Sequence, residues 1–257
     1  MSYEFINLSV KNGVGWYRFN RAPRNSVDWD MLYELAPAFH SLLKNEDVSV
    51  IVLASAIPGY FSTGADLSTF ENIDDGHMKA WVDETHKLAN LIRSSEKPVL
   101  AAIEGIAVGG GLEMSLHADL RFATSKTQLG QPEINIAFIP PVAGTQGLVR
   151  LVGRSQAFKI LYGGETLSAE EALSIGLVDF VFSEEQLENE VQRYGEMLAA
   201  KPANALAAIR RCLVEGGAVS FSEGLEIEEA EAVALADHPN FREGVKAFLS
   251  KRKPNWI

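Results

Sequence analysis

Two glutamates, Glu113 and Glu133, stand twenty residues apart, both after a run of three glycines, Gly109-Gly110-Gly111. The stretch that carries them, Pro98 to Pro141, opens as an apolar strand-like run and breaks at the glycines. It restarts as a helix and returns through a polar segment to Gln131-Pro132-Glu133. A strand that feeds a glycine turn and a helix start leaves backbone N–H groups without intrahelical partners. Such a turn suits an anion, or an oxygen that becomes negative during a reaction. Two carboxylates beside it can divide acid and base work between them. Each residue also has a plainer reading. A Glu in the first turn of a helix is favoured by the helix dipole alone, and the glycines lack the Lys-Ser/Thr pair of a phosphate loop.

A second, independent turn strengthens the chemical reading. The β-branched run Val48–Ala54 suits a strand buried on both faces. It passes into AIPGYFSTGADLSTF, residues 56–70, where Gly64-Ala65-Asp66 leads to another expected helix start. If the two strands are parallel neighbours, both turns lie at one sheet edge, where open α/β sheets bind ligands. One N–H from each turn would then hold a single oxygen. Neither donor is a side chain, so small residues are needed there to let a carbonyl approach.

The elements around these turns follow from pattern. Residues 3–10 and 14–19 read as strands about an Asn12-Gly13 turn. Asp28 caps a helix with Leu32, Leu35, Phe39, Leu42 and Leu43 at helical spacing. Residues 76–94 form an amphipathic helix; its His77 and His86 have no partners at metal-ligand spacing. Helices are expected at 155–162 and 168–175, and a short strand at 177–182. From Ser183 the pattern is helical at 184–199, 203–215, 221–236 and 239–250. The apolar side of the third of these, with Phe221, Leu225, Ile227, Val233 and Leu235, calls for a covering surface on this chain or a neighbouring subunit.

Composition narrows the function classes. The chain has 257 residues, 47% hydrophobic and 22% charged, in the range of a soluble globular protein. A net charge of −11 argues against nucleic-acid binding, since no broad basic face is offered to phosphates. It still allows a small phosphorylated ligand held by local cations. One cysteine, Cys212, excludes an internal disulfide and suits a reducing compartment. The first ten residues lack a basic-then-apolar signal pattern, and no run is long and apolar enough to span a membrane. A cytoplasmic location is the expectation. The tail Lys251-Arg252-Lys253-Pro254 is a basic cluster, either solvated or in contact with a ligand phosphate.

The motifs together resemble the crotonase (enoyl-CoA hydratase/isomerase) superfamily. The resemblance rests on YFSTGADL (60–67), EGIAVGGGLEMSLHADLRFA (104–123), LGQPEINIAFIP (129–140), GTQGLVRLVG (144–153), LSAEEALSIGLVD (167–179) and EGVKAFLSKRKP (243–254), in order over nearly the whole chain. It implies an α/β fold, a spiral of ββα units over 1–195, followed by a helical trimerisation region over 196–257. It implies trimers or dimers of trimers acting on acyl-CoA thioesters, with no metal and no cofactor beyond the coenzyme A of the substrate. Carried over by position, Ala65 and Gly110 match the two residues whose N–H groups hold the thioester oxygen. Glu113 and Glu133 match the two hydratase glutamates. Asp66, Leu67 and Ser68 follow where the family lines its CoA site, Arg24 lies in the early adenine- and phosphate-contacting loop, and Lys251 matches a C-terminal lysine that reaches CoA.

One departure bears on the reaction. Many hydratases carry Pro-Gly where this chain has Pro140-Pro141, and the glycine N–H helps hold the attacking water. Pro141 has no N–H and restricts the pocket. Both glutamates favour hydration; the missing donor keeps double-bond isomerisation as the alternative. A non-catalytic acyl-CoA binder would need neither glutamate. A serine hydrolase built on Ser115 and His117 is disfavoured, because residues two apart on a helix point to different sides.

Overall fold

In the computed structural model, which describes residues 3–257, four successive ββα units build two sheets. The first is β1 (Ile6–Lys11), β2 (Val14–Phe19) and α1 (Trp29–Lys44); the second is β3 (Val50–Ser55), β4 (Tyr60–Ser62) and α2 (Asp75–Arg93). The third is β5 (Val99–Ile103), β6 (Ile106–Val108) and α3 (Gly110–Ser115); the fourth is β7 (Leu120–Thr124), β8 (Gln128–Gly130) and α4 (Gly144–Gly163). After these come β9 (Thr166–Ser168), α5 (Ala169–Ser174), β10 (Phe180–Phe182) and α6 (Glu184–Ala199). The chain ends in α7 (Ala203–Val214), α8 (Phe221–Ala236) and α9 (Pro239–Leu249).

The larger sheet has the order β1-β2-β3-β5-β7-β10, parallel except for the β1–β2 hairpin. The smaller has the order β4-β6-β8-β9, with β4, β6 and β8 parallel. From the second unit on, each unit thus gives its first strand to one sheet and its second to the other, and the chain advances as a spiral. The sequence pattern gives β3–β4 and β5–β6 each as one strand-like run and gives no strand at β7 or β8. The break is a tight turn such as Glu104-Gly105, and strands of three residues are too short to show a period.

Alternation within the central strands fixes the two layers. Tyr17, Phe19, Ile51, Leu53, Ala101 and Ile103 face one way, onto Leu35, Phe39 and Leu42 of α1 and Leu88 and Ile92 of α2. Trp16, Val50, Val52, Leu100 and Phe122 face the other way, onto Leu187 and Val191 of α6. Both sides being covered explains the near-continuous apolar runs. The cap on α1 is as expected: the Asp28 carboxylate accepts the Met31 N–H at 3.0 Å. Asp66, by contrast, starts only a short 3-10 turn, Leu67–Phe70, before α2. Helix α4 begins at Gly144, ahead of the expected residue 155, and is kinked at Gly153.

The C-terminal helices fall where their patterns put them. Residues 195 and 196, the expected division, both lie within α6, whose Leu187 and Val191 pack on the larger sheet. Helix α7 is locked down by Arg210, which is buried and donates to Asp119 and to the carbonyls of Ile92, Arg93 and Ser95. Helix α8 buries no residue. No helix among the described residues is long and apolar enough to cross a membrane.

Candidate active site

Strands β4 and β6 are parallel neighbours, so the turns that follow them meet at one edge. A Cβ placed on Gly64 would stand 2.7 Å from the Gly110 nitrogen, and one placed on Gly110 would stand 3.9 Å from the Ala65 nitrogen. Gly64 also has a φ of +77°, so any side chain there is both strained and in the way. The amides of Ala65 and Gly110 donate to no other group among the described residues. Gly110 opens α3, where free N–H groups and the helix dipole favour negative charge.

Both turns line a cavity of about 250 Å³ that also receives Glu113 and Glu133. Its remaining wall is mostly apolar and comes from Leu32 and Leu35 of α1, Trp81 and Leu88 of α2, and the segment from Pro132 to Val142. Glu113 sits one turn into α3 and is only 1% exposed. Its Oε1 accepts the Gly144 N–H at 2.8 Å, while Oε2 has no protein partner. Burial, followed by the charge of Glu133, pushes its pKa up to about 8; the amides of Gly144 and Val142 oppose the rise. Glu133 lies in the 3-10 turn Pro132–Ile136 after β8, and burial raises its pKa as well. It closes against Gly109, where an added Cβ would stand 2.9 Å from its Oε1. With the amide of Gln131 turned nitrogen-inward, Gln131 donates to Glu133 Oε2 at 3.0 Å.

Ala65, Gly110, Glu113, Glu133, Leu67 and Pro141 are therefore brought to one cavity. The other expected residues are not among its lining. The Asp66 carboxylate accepts the Ser68 hydroxyl at 2.7 Å and lies 3.6 Å from Arg21, an ion pair that steadies the turn after Ala65. Arg24 is exposed, but its carbonyl accepts the amide of Thr63, a cavity residue. Lys251 is exposed at the end of α9, and its neighbour Arg252 is held by Glu243. Ser115 and His117 do not meet as a dyad: Ser115 donates to the Leu112 carbonyl, and His117 bonds the Val142 carbonyl.

The sequence reading missed Gly144 and Gln131, the direct partners of the two glutamates. Each sits in a motif segment already noted, but nothing in a one-dimensional pattern pairs positions 113 and 144.

This arrangement can hold one oxygen on two amides and put a carboxylic acid and a carboxylate beside the adjoining atoms. Residues 9–257 match the family model described as enoyl-CoA hydratase/isomerase. The chain belongs to that family. A crotonyl-CoA hydratase of Syntrophomonas wolfei is 32% identical over 259 residues, covering 100% of this chain and 99% of the relative. Among solved structures, the enoyl-CoA hydratase of Bacillus anthracis superposes with a TM-score of 0.93 at 30% identity, covering 98% of this chain and 99% of that one. The "enoyl-CoA hydrates" structure from Geobacillus kaustophilus reaches 0.96 at 29% identity, over 100% and 97%. The α/β spiral expected from the sequence is thus the family's fold, over the whole length of the chain.

Proposed function

We propose that this chain adds water across the 2,3 double bond of a trans-2-enoyl-CoA. The observation that carries the reading is the convergence of two unpartnered amides, Ala65 and Gly110, with two buried carboxyl groups in one apolar cavity. The thioester oxygen is held by the two N–H groups. Water oxygen bonds to C3, the C2–C3 π pair moves toward the carbonyl, and negative charge builds on the oxygen they hold. One glutamate takes the water proton while the other gives a proton to C2, so the product has gained one water and the pair returns to a single shared proton. Burial raises the pKa of both groups, that of Glu113 to about 8, which favours a proton held by the pair at neutral pH. No electrons are gained or lost overall, so the addition calls for no redox cofactor; coenzyme A enters as part of the substrate.

The acyl chain occupies the apolar wall from α1 and α2. Leu67 and Pro141 border it, and Asp66, Ser68, Arg24 and Lys251 are assigned to the CoA moiety outside the cavity. Exposed apolar side chains on α8 and α9, with Phe221 and Phe248 each 83% exposed, support a homotrimer or a dimer of trimers. The lone Cys212 supports a cytoplasmic setting.

Crotonyl-CoA tests the reaction directly. The conjugated-thioester absorbance falls and oxygen-18 from heavy water enters the product. Glu133→Gln, with folding intact, lowers kcat by about 10²–10⁴-fold. Unchanged turnover in that variant overturns the mechanism. Conversion of a 3-enoyl-CoA to its 2-enoyl isomer without oxygen uptake, in a protein that does not hydrate crotonyl-CoA, would instead select the isomerase that Pro141 keeps in play.

A further inference from the structure

The segment Pro140–Gly144 joins the Glu133 turn to α4, and it is held from outside the cavity by two histidines. His86 Nε2, from α2, lies 2.7 Å from the Pro141 carbonyl oxygen. His117 Nε2, just past α3, lies 3.0 Å from the next carbonyl, that of Val142. A carbonyl only accepts, so both imidazoles carry their proton on Nε2. Neither ring lines the cavity, whereas Pro141 and Val142 do. The residue after them, Ala143, has a φ of +65°, a left-handed conformation that a non-glycine residue adopts only under constraint. The next amide, Gly144, donates to Glu113 Oε1 at 2.8 Å.

We propose that His86 and His117 are positioning residues, a pair of tethers on consecutive carbonyls that set the Pro141–Gly144 segment so that the Gly144 N–H meets Glu113 and the Pro141 ring bounds the substrate cavity. The two tethers come from separate elements, α2 and the end of α3, so together they fix the segment relative to both the apolar wall and the catalytic helix. His117 is 6% exposed, and burial drops its pKa to about 4, with Arg93 and His86 facing it and lowering it further; it stays a neutral donor throughout the working range. The role of this segment in turnover rests on the hydratase reading; the tether itself does not.

The experiment compares His86→Leu, His117→Leu and the double Leu variant with the corresponding Gln variants, whose side-chain amides keep a donor. The first readout is independent of activity: hydrogen exchange at Gly144, followed in the 138–147 fragment. Exchange there accelerates at least about tenfold in the double Leu variant and stays near wild type in the Gln variants, since each tenfold is about 1.4 kcal/mol of opening. The second is turnover of crotonyl-CoA. The Leu variants lose about tenfold or more in kcat with little change in KM, as expected when a reacting group is misplaced by a fraction of an ångström. Their alkaline limb also moves to higher pH, because Glu113, which faces Glu133, has lost the Gly144 N–H, one of the amides that hold its pKa down. The Gln variants recover most of both effects. Wild-type exchange at Gly144 in the double Leu variant overturns the tether, whether or not the protein turns over enoyl-CoA. Gln variants as impaired as Leu variants overturn it too, because donation to the carbonyl would then not be what the imidazoles supply. A wild-type protein inactive on all enoyl-CoA esters, but with the exchange pattern above, removes the hydratase reading and leaves the tether standing.

Discussion

Burying Glu113 is costly to the fold, and the cost depends on pH in a way that identifies it. Its native pKa of about 8 stands above the unfolded value of 4.5. Below about 4.5 the group is protonated in both states and contributes nothing to pH dependence. Between about 4.5 and 8 the unfolded chain releases the proton while the native one keeps it, so native stability falls as pH rises. Above about 8 both states are charged and the loss is complete. Glu113→Gln removes this dependence and keeps an acceptor for the Gly144 N–H. The expected outcome is a variant whose advantage in melting temperature over wild type grows through that window and then levels off. A gap constant with pH would mean that Glu113 is ionised in the native cavity at neutral pH. On the proposed mechanism the same ionisation governs catalysis: wild-type turnover falls as pH rises through about 8, where the pair loses its shared proton.

At the scale of elements, the site depends on strand pairs whose turns are too tight to tolerate a side chain. Gly64→Ala sets a Cβ 2.7 Å from the Gly110 nitrogen, at a φ that alanine resists. The two amide-bearing turns must then separate, and kcat falls by about 10²-fold or more, the scale seen when one oxyanion donor is lost. Circular dichroism should show a folded protein; wild-type turnover would show that the turns need not touch. Arg210 does the comparable work for the C-terminal region. It ties α7 to Asp119 and to three carbonyls at the end of α2. Arg210→Ala strands those acceptors and is expected to cost at least about 3 kcal/mol in denaturant unfolding. These elements differ in how readable they were. Helices α6, α8 and α9 fall at the ranges their helical patterns give, and the paired turns at Gly64 and Gly110 could be inferred from glycine placement after apolar runs. The splitting of each unit between two sheets could not be read, because β4, β6 and β8 span three residues each. Gly144, His86 and His117 escaped for another reason. They act through contacts 25 to 55 residues away in sequence, on backbone atoms that leave no residue-type signature.

For the whole molecule, the cavity and the proposed association surface are built from different parts of the chain. The turns after β4 and β6, helices α1 and α2 and the segment from Pro132 to Val142 enclose the site, whereas α8 leaves every side chain at least partly accessible and α9 presents Phe248 and Leu249 outward. Val233 and Phe221 extend the same apolar character along α8. Exposed apolar side chains of that size on a chain with a net charge of −11 are not a solubility device; they resemble those of an interface that other copies would cover. Burying one such aromatic side chain is worth about 1.5–3 kcal/mol, so a single charge placed there should be felt in assembly before it is felt in folding. The proposed trimer therefore predicts a specific result for Phe248→Asp. Sedimentation velocity should show wild type at three or six copies and the variant shifted toward the monomer, with far-UV circular dichroism unchanged. If the wild-type chain sediments as a monomer, α8 and α9 are not covered by other copies. If the variant keeps the wild-type size, Phe248 lies outside whatever interface forms.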